Sequence, residues 1–117
     1  MPKIIDSHHH FWVLGKKIYY PWLENEKRND FFLGNYDDIC QDFMPEQLIS
    51  LIPQDYLLVG TIHCEAECAR NQSYLEVEWI DNLALEGKLI KGQMIWVNLL
   101  NLNVYQELEQ YKNIYKC

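Results

Sequence analysis

The sequence predicts an α/β fold built on a parallel sheet, and three observations carry that prediction. Strand-like apolar runs alternate with amphipathic helical patterns, in the order strand, long loop, helix, strand, helix, strand, helix. Such alternation implies parallel strands joined by right-handed helical crossovers. The run Leu57-Leu58-Val59-Gly60-Thr61-Ile62 is almost continuously apolar, which suits a strand covered on both faces. Apolar residues fill 49% of the 117 positions and charged residues 23%, a balance that supports a packed core rather than disorder.

The first strand is predicted over residues 3–8, where Ile4 and Ile5 lead into three histidines. From Phe11 to about Phe43 no periodic pattern emerges, although Tyr19-Tyr20-Pro21-Trp22 and the charged segment Glu24–Asp30 fall there. Irregular stretches of this length in a compact domain are often functional. Pro45 suits a first helical turn and Glu46 its positive end, so a helix through Leu48, Ile49 and Ile52 stops before Pro53. Residues 56–65 form the second strand. Ser73-x-x-Glu76 reads as a capping box. Leu75, Trp79 and Leu83, with Ile80 and Ala84, follow at helical spacing, and Gly87 reads as the left-handed residue past the helix end. Residues 90–98 form the third strand. Asn103 is placed to cap a last helix whose apolar face carries Val104, Leu108, Tyr111 and Tyr115.

A net charge of −7 argues against nucleic acid or an anionic membrane as partner, since both need basic patches. Met1–Ile5 runs into Asp6 without an apolar signal core, and no run approaches 18 apolar residues. The expected location is cytoplasmic, with Cys40, Cys64, Cys68 and Cys117 reduced. A zinc site from His63, Cys64 and Cys68 is disfavoured, because neighbours in a strand point to opposite faces.

The chemistry concentrates in Asp6-Ser7-His8-His9-His10-Phe11-Trp12. With a strand period of two, Asp6, His8 and His10 share one face and His9 takes the other. Two imidazoles so placed converge on one divalent metal, or on an anionic or carbonyl group of a substrate. Asp6 is placed to orient a ligand histidine. The alternative for this segment is a solvated polar loop.

Ile5-Asp6-Ser7-His8-His9-His10-Phe11-Trp12 and Tyr20-Pro21-Trp22-Leu23 resemble the opening of the amidohydrolase-related lactonases, which include 2-pyrone-4,6-dicarboxylate lactonases and fuconolactonase-like sugar lactonases. The resemblance continues through Asp42–Leu48, Val59–Glu67, Glu78-Trp79 and Gly92–Leu99, and so covers nearly the whole chain. It implies a TIM barrel with its site at the C-terminal strand ends. It also implies hydrolysis of a lactone by water attack, with His8 and His10 as catalytic pair and as ligands of a divalent metal (zinc or manganese), or in direct contact with the substrate. Glu65 joins them as a catalytic candidate. Relatives commonly carry glutamine there, so the added negative charge departs from the pattern. The alternative for Glu65 and Glu67, expected on one face with Thr61 and His63, is a solvated loop edge. Tyr20 and Trp22 are expected to pack the loop or to line the mouth of the site, and Trp79 to pack a helix on the sheet.

A full barrel takes about 250 residues, so residues 1–117 correspond to its amino-terminal part, about three βα units. The histidines of middle strands and the water-activating aspartate near the barrel's end have no counterpart here. Three expectations follow: a truncated chain with weak or no activity, a hydrolase completed by another chain across open sheet edges, or a non-catalytic interaction or metal-binding module on the same scaffold.

Overall fold

Three parallel strands lie side by side in sequence order in the computed structural model, which describes residues 1–114. They are β1 (Lys3–His9), β2 (Leu57–Cys64) and β3 (Ile90–Met94). Helices α1 (Pro45–Leu51), α2 (Ser73–Gly87) and α3 (Val104–Ile114) alternate with them, and short 3-10 turns occupy Asp37–Ile39 and Arg70–Gln72. Lys3 faces Leu57 and His9 faces His63, with irregularities at Ile4/Ile5 and between Asp6 and His9. Thr61 faces Ile90 and Cys64 faces Met94. The parallel α/β prediction therefore holds.

The core forms where helix and sheet patterns meet. Leu48 of α1, Ile80 of α2 and Ile90 of β3 close around Phe11, with Trp79, Leu83 and Ala84 packed beside them. Complete burial of a side chain like Ile80 contributes roughly 1.5–3 kcal/mol. A second cluster lies under the long loop and joins Trp12, Ile18, Tyr20 and Leu23 to Ala66 and Cys68. Val77, Tyr111 and Ile114 dock α3 on α2. Trp79 packs as expected, and Tyr115 and Cys117 lie outside the described residues.

The 11–43 stretch is irregular as predicted, but its ends are pinned. Trp12 and Phe43 form an isolated antiparallel bridge, with backbone bonds of 3.1 and 3.0 Å. α1 ends before Pro53 as the sequence requires, and the Gln47 side chain accepts the Met44 N–H at its start (2.9 Å).

Four local expectations are corrected. β3 stops at Met94 rather than residue 98, and Trp96 instead lies under the Arg70 guanidinium, 4.5 Å from its carbon. Ser73-x-x-Glu76 is not a capping box. Ser73 is itself helical and its hydroxyl donates to the Arg70 carbonyl, while Glu76 is buried against Tyr20. Asn103 precedes α3 as predicted, but its backbone carbonyl accepts the Glu107 N–H and its side chain supplies no cap among the described residues. Gly87 is the last residue of α2, and Lys88 takes the left-handed position at φ 54°. A side chain there is strained where glycine is not. Lys88→Gly should therefore stabilise the fold by about 0.5–1 kcal/mol, read as a higher urea midpoint. An unchanged or lower midpoint would show that α2 draws no strain from this cap.

Ile5 is 61% exposed, and Leu57 and Val59 are also exposed. Among the described residues β1 and β3 each pair along one side only. No described helix is long and apolar enough to cross a membrane.

Candidate functional site

The carboxyl ends of β1 and β2 open into a cleft of about 530 Å³. His8, His10, Glu65 and Glu67 all line it, together with Trp12 and Trp22. The three sequence-predicted site residues, His8, His10 and Glu65, are thus brought together.

Local backbone chemistry sets the histidines. Asp6 Oδ1 accepts the backbone N–H of His8 at 3.0 Å. The Asp6 carboxylate therefore fixes the main chain of the motif rather than orienting an imidazole, which corrects its expected role. The His8 and His10 rings meet edge to face with centroids 5.1 Å apart. His10 Nδ1 lies 3.0 Å from the Cys64 carbonyl oxygen. A carbonyl only accepts, so Nδ1 carries the proton, and in the neutral ring Nε2 keeps its lone pair. Trp12 stacks beside His10 at 6.3 Å and 22°.

His9 turns away, as the strand period predicts. It is 5% exposed, packs on Phe11 (4.2 Å) and His63 (5.4 Å), and neither ring nitrogen has a hydrogen-bond partner among the described residues. His63 Nε2 accepts the Phe11 N–H at 3.1 Å. Burial pushes His9 down to about 4, helped by the neighbouring imidazoles and opposed by Asp6. Burial, with His9 and His10 adding to it, pushes His63 down to about 3. Both rings belong to the core as neutral groups.

Glu65 and Glu67 sit at the cleft rim, but not on one face with Thr61 and His63, which are buried and do not line it. β2 ends at Cys64 and Glu67 adopts φ 53°, so the alternation that predicted a shared face stops before these residues. Glu65 Oε2 accepts the Glu67 N–H (2.7 Å) and pairs with Arg70 Nη1 (3.2 Å). Glu67 Oε1 is 3.5 Å from Arg70 Nη2. Arg70 therefore grips both acids, a role that sequence reading missed. Its spacing of five and three residues from two rim glutamates was the available signal.

Comparison of the chain with protein-family models, curated proteins and solved structures finds no match. Its chemistry rests on its own side chains.

Two imidazoles are fewer than the three protein ligands of a catalytic zinc site. Among the described residues no group of three metal-ligating side chains converges, and Glu65 is engaged by Arg70. The described residues alone do not make a complete metal centre.

Tyr20 does not line this cleft. It is fully buried, and its hydroxyl donates to Glu76 Oε2 at 2.8 Å. Ala66 N–H reaches Glu76 Oε1 at 3.4 Å. Burial raises the Glu76 carboxyl to about 7 despite these donors, and raises the Tyr20 hydroxyl further, with Glu76 adding to it. The sequence marked Glu76 as a capping acid, and its place four residues before the core residue Ile80 was the signal of its burial. Cys68 is pushed up to about 12, chiefly by burial and next by Glu76, which makes it a poor nucleophile.

Proposed function

We propose that the chain is a lactonase-type hydrolase of the amidohydrolase-related class, carrying the first strands of a TIM-type barrel, and that a small cyclic ester binds at His8 and His10. The observation that carries this reading is the His10–Cys64 hydrogen bond. It leaves Nε2 of the neutral ring as an acceptor, on a ring that lines the cleft beside His8.

In this reading water attacks the lactone carbonyl while His10 Nε2 accepts its proton. The developing oxyanion needs a donor, and His8 is the nearest imidazole. The ring C–O bond then breaks, and the leaving alkoxide takes the proton back from His10 to give a hydroxy acid. Glu65, held by Arg70, shapes the rim and its charge. A divalent cation joins His8 and His10 only with further ligands from outside this described set.

The 117-residue polypeptide should turn over lactones well below about 1 s⁻¹. The reason is physical: the cleft is open, so its histidines stay hydrated and their electrostatic effect is screened. A pH-stat assay on a lactone panel, with and without Zn²⁺ or Mn²⁺, tests both points. Slow hydrolysis lost in His8→Ala and His10→Ala supports the site. Turnover near 1 s⁻¹ or above, lost in the same variants, would show the polypeptide to be a self-sufficient enzyme. Hydrolysis or binding indifferent to both histidines would remove the reading altogether.

A second reading, a module that binds another chain, is favoured by the exposed Ile5, Leu57 and Val59 and by the strand edges that stay unpaired among the described residues. Such edges template pairing with other strands. Sedimentation showing a monomer at all concentrations would argue against self-association.

A further inference from the structure

The walls of the cleft carry information about the ligand beyond the chemistry of its histidines. Starting beside His10, a line of aromatic rings runs outward along the loop. Trp12 meets Trp22 at 5.9 Å, Trp22 meets Phe31 at 6.0 Å, and Phe31 meets Phe32 at 4.7 Å. Phe32, at the rim, is 86% exposed. The line is held from behind: the Tyr36 hydroxyl donates to the Trp22 carbonyl (2.8 Å) and accepts the Arg28 N–H (2.9 Å). An aromatic wall ending in an exposed ring beside convergent polar groups is what a pocket for an apolar ligand offers.

The polar inventory points the same way. The indole N–H of Trp12 is spent on the Gln41 carbonyl (2.7 Å) and that of Trp22 on the Ala66 carbonyl (2.9 Å). Neither is free for a ligand hydroxyl. Glu65 and Glu67 share one guanidinium, so the rim group carries one uncompensated negative charge. The Arg70 plane is covered by Trp96, and among the described residues no lysine or arginine lines the cleft. A ligand carboxylate would meet like charge without a cation. A polyhydroxylated ring would find polar partners only at the His8, His10, Glu65 and Glu67 end, and would exchange water for apolar walls along the rest of the cleft.

We propose that the cleft selects a neutral cyclic ester with a flat apolar or aromatic body, and discriminates against carboxylate-bearing and polyhydroxylated lactones. This rests on the reading of His8 and His10 as the groups that meet the ester.

The test is titration calorimetry at pH 8, where an ordinary imidazole is neutral, on the 117-residue chain. The probes are lactams, which resist spontaneous ring opening: dihydroquinolinone, a carboxylated dihydroquinolinone, and gluconolactam. The neutral aromatic lactam should bind about tenfold more tightly than either of the others, of the order expected for one unscreened like charge or one lost set of polar partners. Phe32→Ala should weaken it about threefold to tenfold and leave the thermal midpoint in place, because Phe32 faces solvent. Glu67→Gln should shrink the penalty on the carboxylated lactam. Equal or tighter binding of the carboxylated or polyhydroxylated probe, with all three weakened by His8→Ala, overturns the selectivity and leaves the histidine site standing. If none of the three binds, or if binding ignores His8→Ala, His10→Ala and Phe32→Ala alike, both readings fall.

Discussion

His9→Phe should make the chain more stable than the parent by about 2 kcal/mol at pH 5, with little difference at pH 8. In the folded chain His9 is held down to about 4, chiefly by burial, against an unfolded value near 6.5. A base whose folded value is depressed contributes stability that is present above the unfolded value and is lost as pH falls toward the folded one. His63, held down to about 3, acts in the same direction. Each imidazole should cost roughly 2 kcal/mol at pH 5 relative to pH 8. Glu76 works against them. Its value is raised to about 7, so its contribution grows as pH falls from 7 toward 4.5. The parent should therefore be nearly flat between pH 8 and 6.5, about 1–2 kcal/mol weaker at pH 5 and about 3 kcal/mol weaker at pH 4. Phenylalanine keeps the packing on Phe11 and removes two nitrogens that have no partner, a change that is near neutral when the group is uncharged. Urea midpoints at pH 8, 6.5 and 5 measure this. An acid limb of the same depth in His9→Phe and the parent would mean that His9 is not the buried neutral group described.

Tyr20→Phe should show the opposite pH dependence. The Tyr20 hydroxyl is the closest donor to the buried Glu76 carboxylate. Above pH 7 its loss leaves a charge in the core with, among the described residues, only the 3.4 Å contact from Ala66, and should destabilise the fold by about 2–3 kcal/mol. At pH 5 Glu76 is protonated in the folded chain, and the cost should fall to about 1 kcal/mol, that of a neutral hydrogen bond. Measured against Glu76→Gln alone, the Tyr20→Phe penalty should be the same at both pH values. Measured against the parent, a Tyr20→Phe penalty equal at both pH values would remove Glu76 as a titrating core group.

What the sequence made legible follows the range of the interactions involved. The strands and helices follow from short periodic patterns, and so did the orientation of the histidines: the period of two put His8 and His10 together and His9 apart, as the cleft and the core show. The start and stop of α1 were written in Pro45 and Pro53. Legibility failed where a side chain's partner lies far along the chain. Ser73-x-x-Glu76 has the spacing of a cap, but Tyr20, 56 positions away, claims Glu76. His63 lies only two residues before Glu65, yet Phe11, 52 positions away, holds it in the core. The third strand's apolar run outlasts its hydrogen bonding, and beyond it Trp96 packs on Arg70, 26 positions back. In the candidate site the residue types were readable; the Arg70 clamp and the aromatic wall from the loop were not.

The Trp12–Phe43 bridge has a consequence for how such a cleft changes over time. It holds the two ends of the long excursion together whatever the middle contains. Within that excursion Tyr20, Leu23 and Tyr36 are buried anchors, while residues 25–35 are exposed apart from the half-buried Phe31. Doubling the length of a closed loop adds only about 0.6 kcal/mol of closure cost. The stretch between Leu23 and Tyr36 therefore behaves as an interchangeable cassette, which can be lengthened, shortened or rewritten without moving the sheet or the histidines. It also supplies Phe31, Phe32 and Leu33 to the cleft. The aromatic rim of the cleft and the sheet beneath it thus lie on separate segments, so part of the rim can be altered while the sheet stays as it is.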